Sequence, residues 1–278
     1  MEIEERYATH PDQIATMTTQ EARARYLIDD VFTPGQIRLV YTHHDRIVLG
    51  GACPGPAPLT LEAPALLRSA TFFEHREAGI VNVGADGVVS VGDRDFRLVH
   101  GACLYIGRGA PNPVFTSDNA DQPAKFYVFS APAHTACPTA LTQPGAGDIR
   151  ELGAPLTSNE RTLNRYIHAD GVSSCQVVMG VTTLHPGNMW NTMPAHTHIR
   201  RTECYLYFDL PDDARIVHLF GQPQQTRHLI VANDQAVISP SWSVHSGVGT
   251  AAYSFVWAMA GENRDYDDMQ PFPPTALL

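Results

Sequence analysis

In the stretch MPAHTHIRRTECYLYF, residues 193–208, His196 and His198 stand two apart, and Glu203 follows five residues later at the head of an apolar run. Successive side chains of a β-strand point to opposite faces, so positions i and i+2 share one face. His196 and His198 therefore project side by side into one space. Two neutral imidazoles converging with a carboxylate from the next stretch form a metal-ligand set. His245, in SPSWSVHSGVG, offers a fourth ligand, and the Pro before it and the Gly-rich corner after it are expected to set it at the mouth of a barrel. Imidazole and carboxylate donors without thiolate suit Zn, Mn, Fe, Ni or Co, and the donor types alone do not choose among them. His218 and His228 lie in strand-like runs and are expected to be structural or to line a pocket. His43, His44 and His75 have no ligand constellation around them.

The elements that must position these groups are nearly all strands. Residues 18–29, TTQEARARYLID, read as one short N-terminal helix, with Thr18 and Glu21 spaced as a capping box. Beyond it, short runs rich in Val, Ile, Phe and Tyr alternate with Gly, Pro, Asn and Asp, which predicts an all-β sandwich or barrel. In GIVNVGADGVVSVGDRDFRL, Asp86-Gly87 between apolar runs predicts a hairpin turn. Residues 131–160 are rich in Pro, Gly, Ala and Thr and read as a linker between two β halves, 1–140 and 141–278. The halves look like a divergent repeat. FFEHREAGIVNVG takes the place in the first that HTHIRRTECYLYF takes in the second, but without an H-x-H pair. Only the second half is expected to keep a metal set.

The chain has 278 residues and a net charge of −10 with no basic cluster, which argues against nucleic acid or an anionic membrane surface as partner. The start, MEIEERYATH, does not read as a signal peptide, and apolar runs such as Phe255–Ala260 are too short to span a bilayer. Five scattered cysteines with no C-x-x-C pair read as reduced thiols of a cytoplasmic protein. Of 19 basic residues, Lys125 is the sole lysine.

The pattern H-x-H-x4-E, followed after about forty residues by P-x4-H, has the ligand spacing of cupins, small β-barrels. The likeness goes further. GNMWNTMPAHTHIRRTECYLYFDL, GQPQQTRHLIVANDQAVISPSWSVHSGVGT and the tail GENRDYDDM closely resemble the 5-keto-4-deoxyuronate isomerases, also called 4-deoxy-L-threo-5-hexosulose-uronate ketol-isomerases. YTHHDRIVLGG, REAGIVNVGADG, LYIGRG, PAKFYVFSAPAHT and LTSNERTLNRY extend the resemblance over the first half, so it runs from about residue 25 to the tail. The resemblance implies two cupin-type β-barrels (a bicupin), a hexamer, and one zinc ion per chain on His196, His198, Glu203 and His245. It implies a role in pectin and uronate catabolism. The reaction would convert 5-dehydro-4-deoxy-D-glucuronate to 3-deoxy-D-glycero-2,5-hexodiulosonate, moving a carbonyl from C1 to C2 through a metal-stabilised enediolate. Glu203 and Lys125 are the candidates for proton transfer. Lys125, Arg161 and Arg201 are the candidates for holding the substrate carboxylate. Lys125 stands out because a chain that otherwise uses Arg retains it, as expected for a compact point charge. The sequence departs from the family pattern at Ile199, where an acidic residue is expected, and at Thr202 and Glu160. Two other classes fit the same ligands: a cupin dioxygenase using iron, and a non-catalytic sugar-binding bicupin.

Overall fold

The computed structural model of the chain describes residues 2–278. Its strands form four sheets, of seven, four, seven and five strands. The first seven-stranded sheet and the four-stranded one close over a core that includes Phe72, Phe73, Phe115 and Phe126, all fully buried. The second seven-stranded sheet and the five-stranded one close over another, which includes Tyr205, Tyr207, Phe255 and Trp257. The two seven-stranded sheets lie back to back across a third, shared core that joins Leu49, Val81 and Phe129 of the first half to Met179, Leu206 and Val256 of the second. The halves approach closely enough there that a Cβ on Gly79 would stand 2.5 Å from Met179 Sδ.

This layering explains the strand Arg201–Phe208, which is buried at every position. Strands covered on both faces read as continuous apolar runs instead of alternating with polar residues. Alternation persists in direction. Cys204, Leu206 and Phe208 enter the shared core, while Tyr205 and Tyr207 enter the second barrel. Glu203 has the parity of Tyr205, so it faces the barrel interior.

The expected helix spans Thr19–Tyr26, and Thr18 and Glu21 form the capping box. Three expectations need correction. Asp86-Gly87 is not a hairpin turn. The strands on either side of it, Arg76–Asn82 and Gly87–Val91, belong to different sheets, and the hairpin lies one strand later, where Val91 pairs with Arg94. The chain turns this corner around Asn82, whose side-chain amide donates to Ala85 O at 2.8 Å and Leu98 O at 2.9 Å. The linker region is not free of strands, since Ala140–Thr142 ends the first large sheet and Asp148–Leu152 begins the second. Nor do the halves divide cleanly by sequence. Ile14, Met17, Tyr26 and Leu27 pack into the core of the second barrel, and Leu27–Ile28 forms that barrel's last sheet strand.

The repeat is visible in the sheets. Arg76–Asn82 and Arg201–Phe208 hold the same place in the two strand orders, and the ladders that start them pair Arg76 with Pro132 and Arg201 with Gly261. Counted from that end, Ala78 stands where Glu203 stands. Among the described residues, only one cluster of His, Cys, Asp or Glu is arranged to hold a metal, and it lies in the second barrel.

Candidate metal centre and active-site cavity

His196 lies near the end of the strand Trp190–Thr197, and His198 follows in the turn that carries the chain from the five-stranded sheet to Arg201–Phe208 in the facing sheet. His245 lies in the strand Val244–Gly249, directly opposite His196 in the ladder. It is 1% exposed, so it sits inside the barrel and not at its mouth, because its strand runs between two neighbours. His196 Nε2 is 3.1 Å from His198 Nε2 and 3.1 Å from His245 Nε2. Glu203 Oε2 is 2.8 Å from both His198 Nε2 and His245 Nε2. The four atoms form a closed ring of contacts.

Ordinary hydrogen bonding does not account for this ring, because a neutral imidazole has one donor and one acceptor, on different nitrogens. A small cation does. Neighbouring donors held about 2.1 Å from one ion lie roughly 3.0–3.4 Å apart, close to the distances found. The protonation states agree. Burial pushes the His196 imidazolium well below its ordinary pKa, with His245 and His198 adding to the effect, so the ring is neutral and its lone pair free. Burial acts to raise the Glu203 carboxyl, but His245 and His198 outweigh it and hold the group well below the usual carboxylate range. The tautomer of His198 is fixed from behind, where its Nδ1 donates to Asp268 O at 2.8 Å and leaves Nε2 for an ion.

His196, His198 and Glu203 of the cluster line a cavity of about 530 Å³. Leu163, Phe255, Trp257 and Met259 give it apolar walls, and Arg161, Thr192 and Tyr205 add polar groups. The tail forms one side. Tyr266, Asp267, Met269 and Pro271 line the cavity, and Gln270–Pro271 pairs with Thr197 and His196. Arg161 is half-buried, donates to Asn159 O at 2.7 Å and has no acidic partner within salt-bridge distance among the described residues, which leaves its guanidinium available to an anion in the cavity.

A profile of the KduI/IolB family matches residues 27–271. The chain belongs to the KduI/IolB family. It is 62% identical over 278 residues, covering 99% of this chain and all of the relative, to a protein of Kineococcus radiotolerans named 4-deoxy-L-threo-5-hexosulose-uronate ketol-isomerase. Proteins of the same name from Halalkalibacterium halodurans and Bacillus subtilis are 51% and 48% identical, covering 96% and 99% of this chain and 97% and 100% of theirs. Among solved structures, an IolB-like protein from Salmonella typhimurium aligns with a TM-score of 0.72 at 16% identity, covering 89% of this chain and 96% of the other. Oxalate decarboxylase of Lactobacillus farciminis aligns at 0.54 and 11% identity, covering 79% and 78%. At these identities the structures speak to fold alone, and the fold is the expected all-β double cupin with its short helix.

Within this KduI/IolB fold the other candidates part company. Lys125 does not reach the cavity. It lies beside the turn at Gly84 on the first barrel, and its Nζ pairs with Asp234 Oδ2 at 2.5 Å. A lysine conspicuous by composition is here a link between the halves. Arg201 does not line the cavity either. It is fully buried, and its guanidinium donates to Asp265 O and, at 3.0 Å, to Asp268 O, the carbonyl that also fixes His198. Of the three basic candidates only Arg161 faces the site. His218 is fully buried and hydrogen-bonded to Tyr207 OH at 2.7 Å, and burial pushes its pKa down to about 3. His228 is exposed. Ile199, at the tip of the ligand turn, is 75% exposed and points away from the ligands. Thr202 serves the contact between halves, donating through Oγ1 to Asp45 Oδ2 at 2.6 Å. The sequence reading missed Tyr205, Thr192 and the tail residues 265–271. The quoted tail GENRDYDDM was the one available signal, a polar segment after the last apolar strand.

Proposed function

We propose that this chain is a 4-deoxy-L-threo-5-hexosulose-uronate ketol-isomerase that converts 5-dehydro-4-deoxy-D-glucuronate to 3-deoxy-D-glycero-2,5-hexodiulosonate. The observation that carries the reading is the end-to-end match, at up to 62% identity, to proteins of that name, in a chain whose buried cluster of three histidines and one glutamate opens into a cavity of substrate size. The resident ion is zinc, one per chain, held by His196, His198, Glu203 and His245. When bound, a divalent ion supplies a Lewis acid to the oxygens of the C1–C2 unit, where negative charge develops. Arg161 holds the substrate carboxylate, since it is the cavity's half-buried guanidinium without an acidic partner. The apolar walls exclude water and so strengthen each polar contact at the reacting end. Among the ligands, Glu203 is the one whose carboxylate borders the cavity and can take part in moving the carbon-bound proton. We further propose a cytoplasmic hexamer in uronate catabolism, with the five free thiols in keeping with a reducing compartment.

The test is turnover measured both in air and under anaerobic conditions, with the metal content determined on the same sample. Conversion of the aldehyde to the ketone without oxygen uptake supports the isomerase. Substrate-dependent oxygen consumption points to the dioxygenase, and tight binding without conversion to a sugar-binding protein.

A further inference from the structure

Moving a carbonyl from C1 to C2 puts negative charge on both oxygens of an enediolate. Stabilising that charge calls for a fixed hydrogen-bond donor aimed at where it develops. The cavity wall offers two phenols, Tyr205 and Tyr266. Tyr266 lies on the tail, packed between Trp257 and the Arg165 guanidinium, with no anchor for its hydroxyl. Tyr205 differs in three respects. It sits two residues beyond Glu203 on one strand and so shares its face. Its ring lies 5.5 Å from the His245 ring and 4.9 Å from Phe255, which locks its plane. Its hydroxyl has one partner, Thr192 Oγ1 at 3.1 Å, also on the cavity wall. Each hydroxyl has one proton and two lone pairs, so this pair keeps one proton to direct into the cavity. Thr192 itself holds an unusual backbone conformation, with φ at +53°, a region a β-branched residue rarely enters. Such a conformation persists only where the surroundings impose it, and such positions cluster at functional sites.

We propose that Tyr205 is a catalytic residue, a hydrogen-bond donor to the enediolate oxygens, and that Thr192 is the positioning residue that aims its hydroxyl. The role rests on the isomerase reading and deepens it. Thr192 donates its own O–H to the phenol oxygen, and the phenol O–H then points at the reacting oxygens, beside the ligand cluster and away from the apolar wall. No bond of Tyr205 breaks in this role.

The experiment compares Tyr205→Phe and Thr192→Val with the parent enzyme, measuring kcat, KM, bound metal and melting temperature. Tyr205→Phe keeps the ring and its packing and removes one oxygen. Loss of an aligned donor of this kind costs about a hundred- to a thousandfold in kcat, with KM, metal content and melting temperature unchanged. Thr192→Val keeps the shape and leaves the phenol unaimed, for a kcat loss of about tenfold. Parent-level kcat in Tyr205→Phe overturns the proposal. So does a kcat loss matched by loss of metal or by a lowered melting temperature, which would make Tyr205 a packing group. The parent's own turnover is the control. If it does not convert substrate, the isomerase reading fails; if it does and Tyr205→Phe equals it, only the role of Tyr205 fails.

Discussion

Replacing Arg201 by Met tests how the tail and the metal ligands depend on each other. Arg201 is fully buried, and its guanidinium holds the carbonyls of Asp265 and Asp268. Asp268 O also orients His198. Met fills the stem's volume but donates nothing. Asp265 lies at the surface, so water can replace the lost donor at its carbonyl. Asp268 O keeps the His198 N–H and loses the guanidinium. A lost hydrogen bond to a charged donor is worth about 1.5–3 kcal/mol, and here most of that loss falls on the tail, since the barrel core is untouched. An outer partner that orients a metal-bound imidazole is worth about ten- to a hundredfold in affinity. Arg201→Met should therefore bind metal about ten- to a hundredfold more weakly in a chelator competition, raise KM because the tail walls the cavity, and lower the melting temperature only modestly. Arg201→Lys reaches one carbonyl at most and should fall between. Unchanged metal affinity and KM in Arg201→Met would refute the coupling.

Further outcomes follow from the same geometry. His196→Ala, His198→Ala and His245→Ala should each lose most bound metal and most activity, and near-stoichiometric metal in His245→Ala would remove that residue from the set. Arg161→Met should keep its metal and lose about 30- to 1000-fold in kcat/KM, for about 2–4 kcal/mol of charge-assisted contact; an unchanged value would assign the carboxylate elsewhere. Lys125→Met should keep parent kinetics and cost under about 1 kcal/mol, because a partly exposed ion pair with Asp234 is worth little; a large kinetic defect would return Lys125 to the site. His44 accepts a hydrogen bond from Thr9 N at 3.2 Å, and burial lowers its pKa to about 4. Its unfolded form takes up a proton near pH 6.5 and its folded form only near 4, so its contribution to stability is present above that window and is lost as pH falls through it. Urea unfolding should show a shallower pH dependence over this window in His44→Phe than in the parent, and equal slopes would contradict the assignment.

The cluster of three histidines and one glutamate was legible because it is local chemistry. His196, His198 and Glu203 lie within eight residues, so the short turn between two facing strands brings them together, and His245 follows a recognisable turn. The all-β class and the capped helix were legible for the same reason, since period and punctuation are local signals. Contacts between distant segments were not. Asp86-Gly87 has hairpin chemistry, yet Asn82 turns the chain there between two sheets. Lys125 was singled out by composition, which carries no information about Asp234, its partner 109 residues away. Arg201 sits beside a ligand in sequence but points at the tail, and nothing before the fold reveals that residues 265–268 return to receive it. Tyr205 looked like one more residue of an apolar strand, because most of the cavity it borders is made by other segments.

The most direct test of the isomerase reading is a metal titration of stripped enzyme, following the substrate's C1 aldehyde and the product's C2 ketone by carbon NMR. The expected result is no conversion without metal, activity rising in proportion to bound zinc and saturating at one ion per chain, and no such recovery in Glu203→Ala or His245→Ala. Full activity in the stripped enzyme would contradict the metal's part in the reaction, and no conversion with the site filled would contradict the isomerase reading itself.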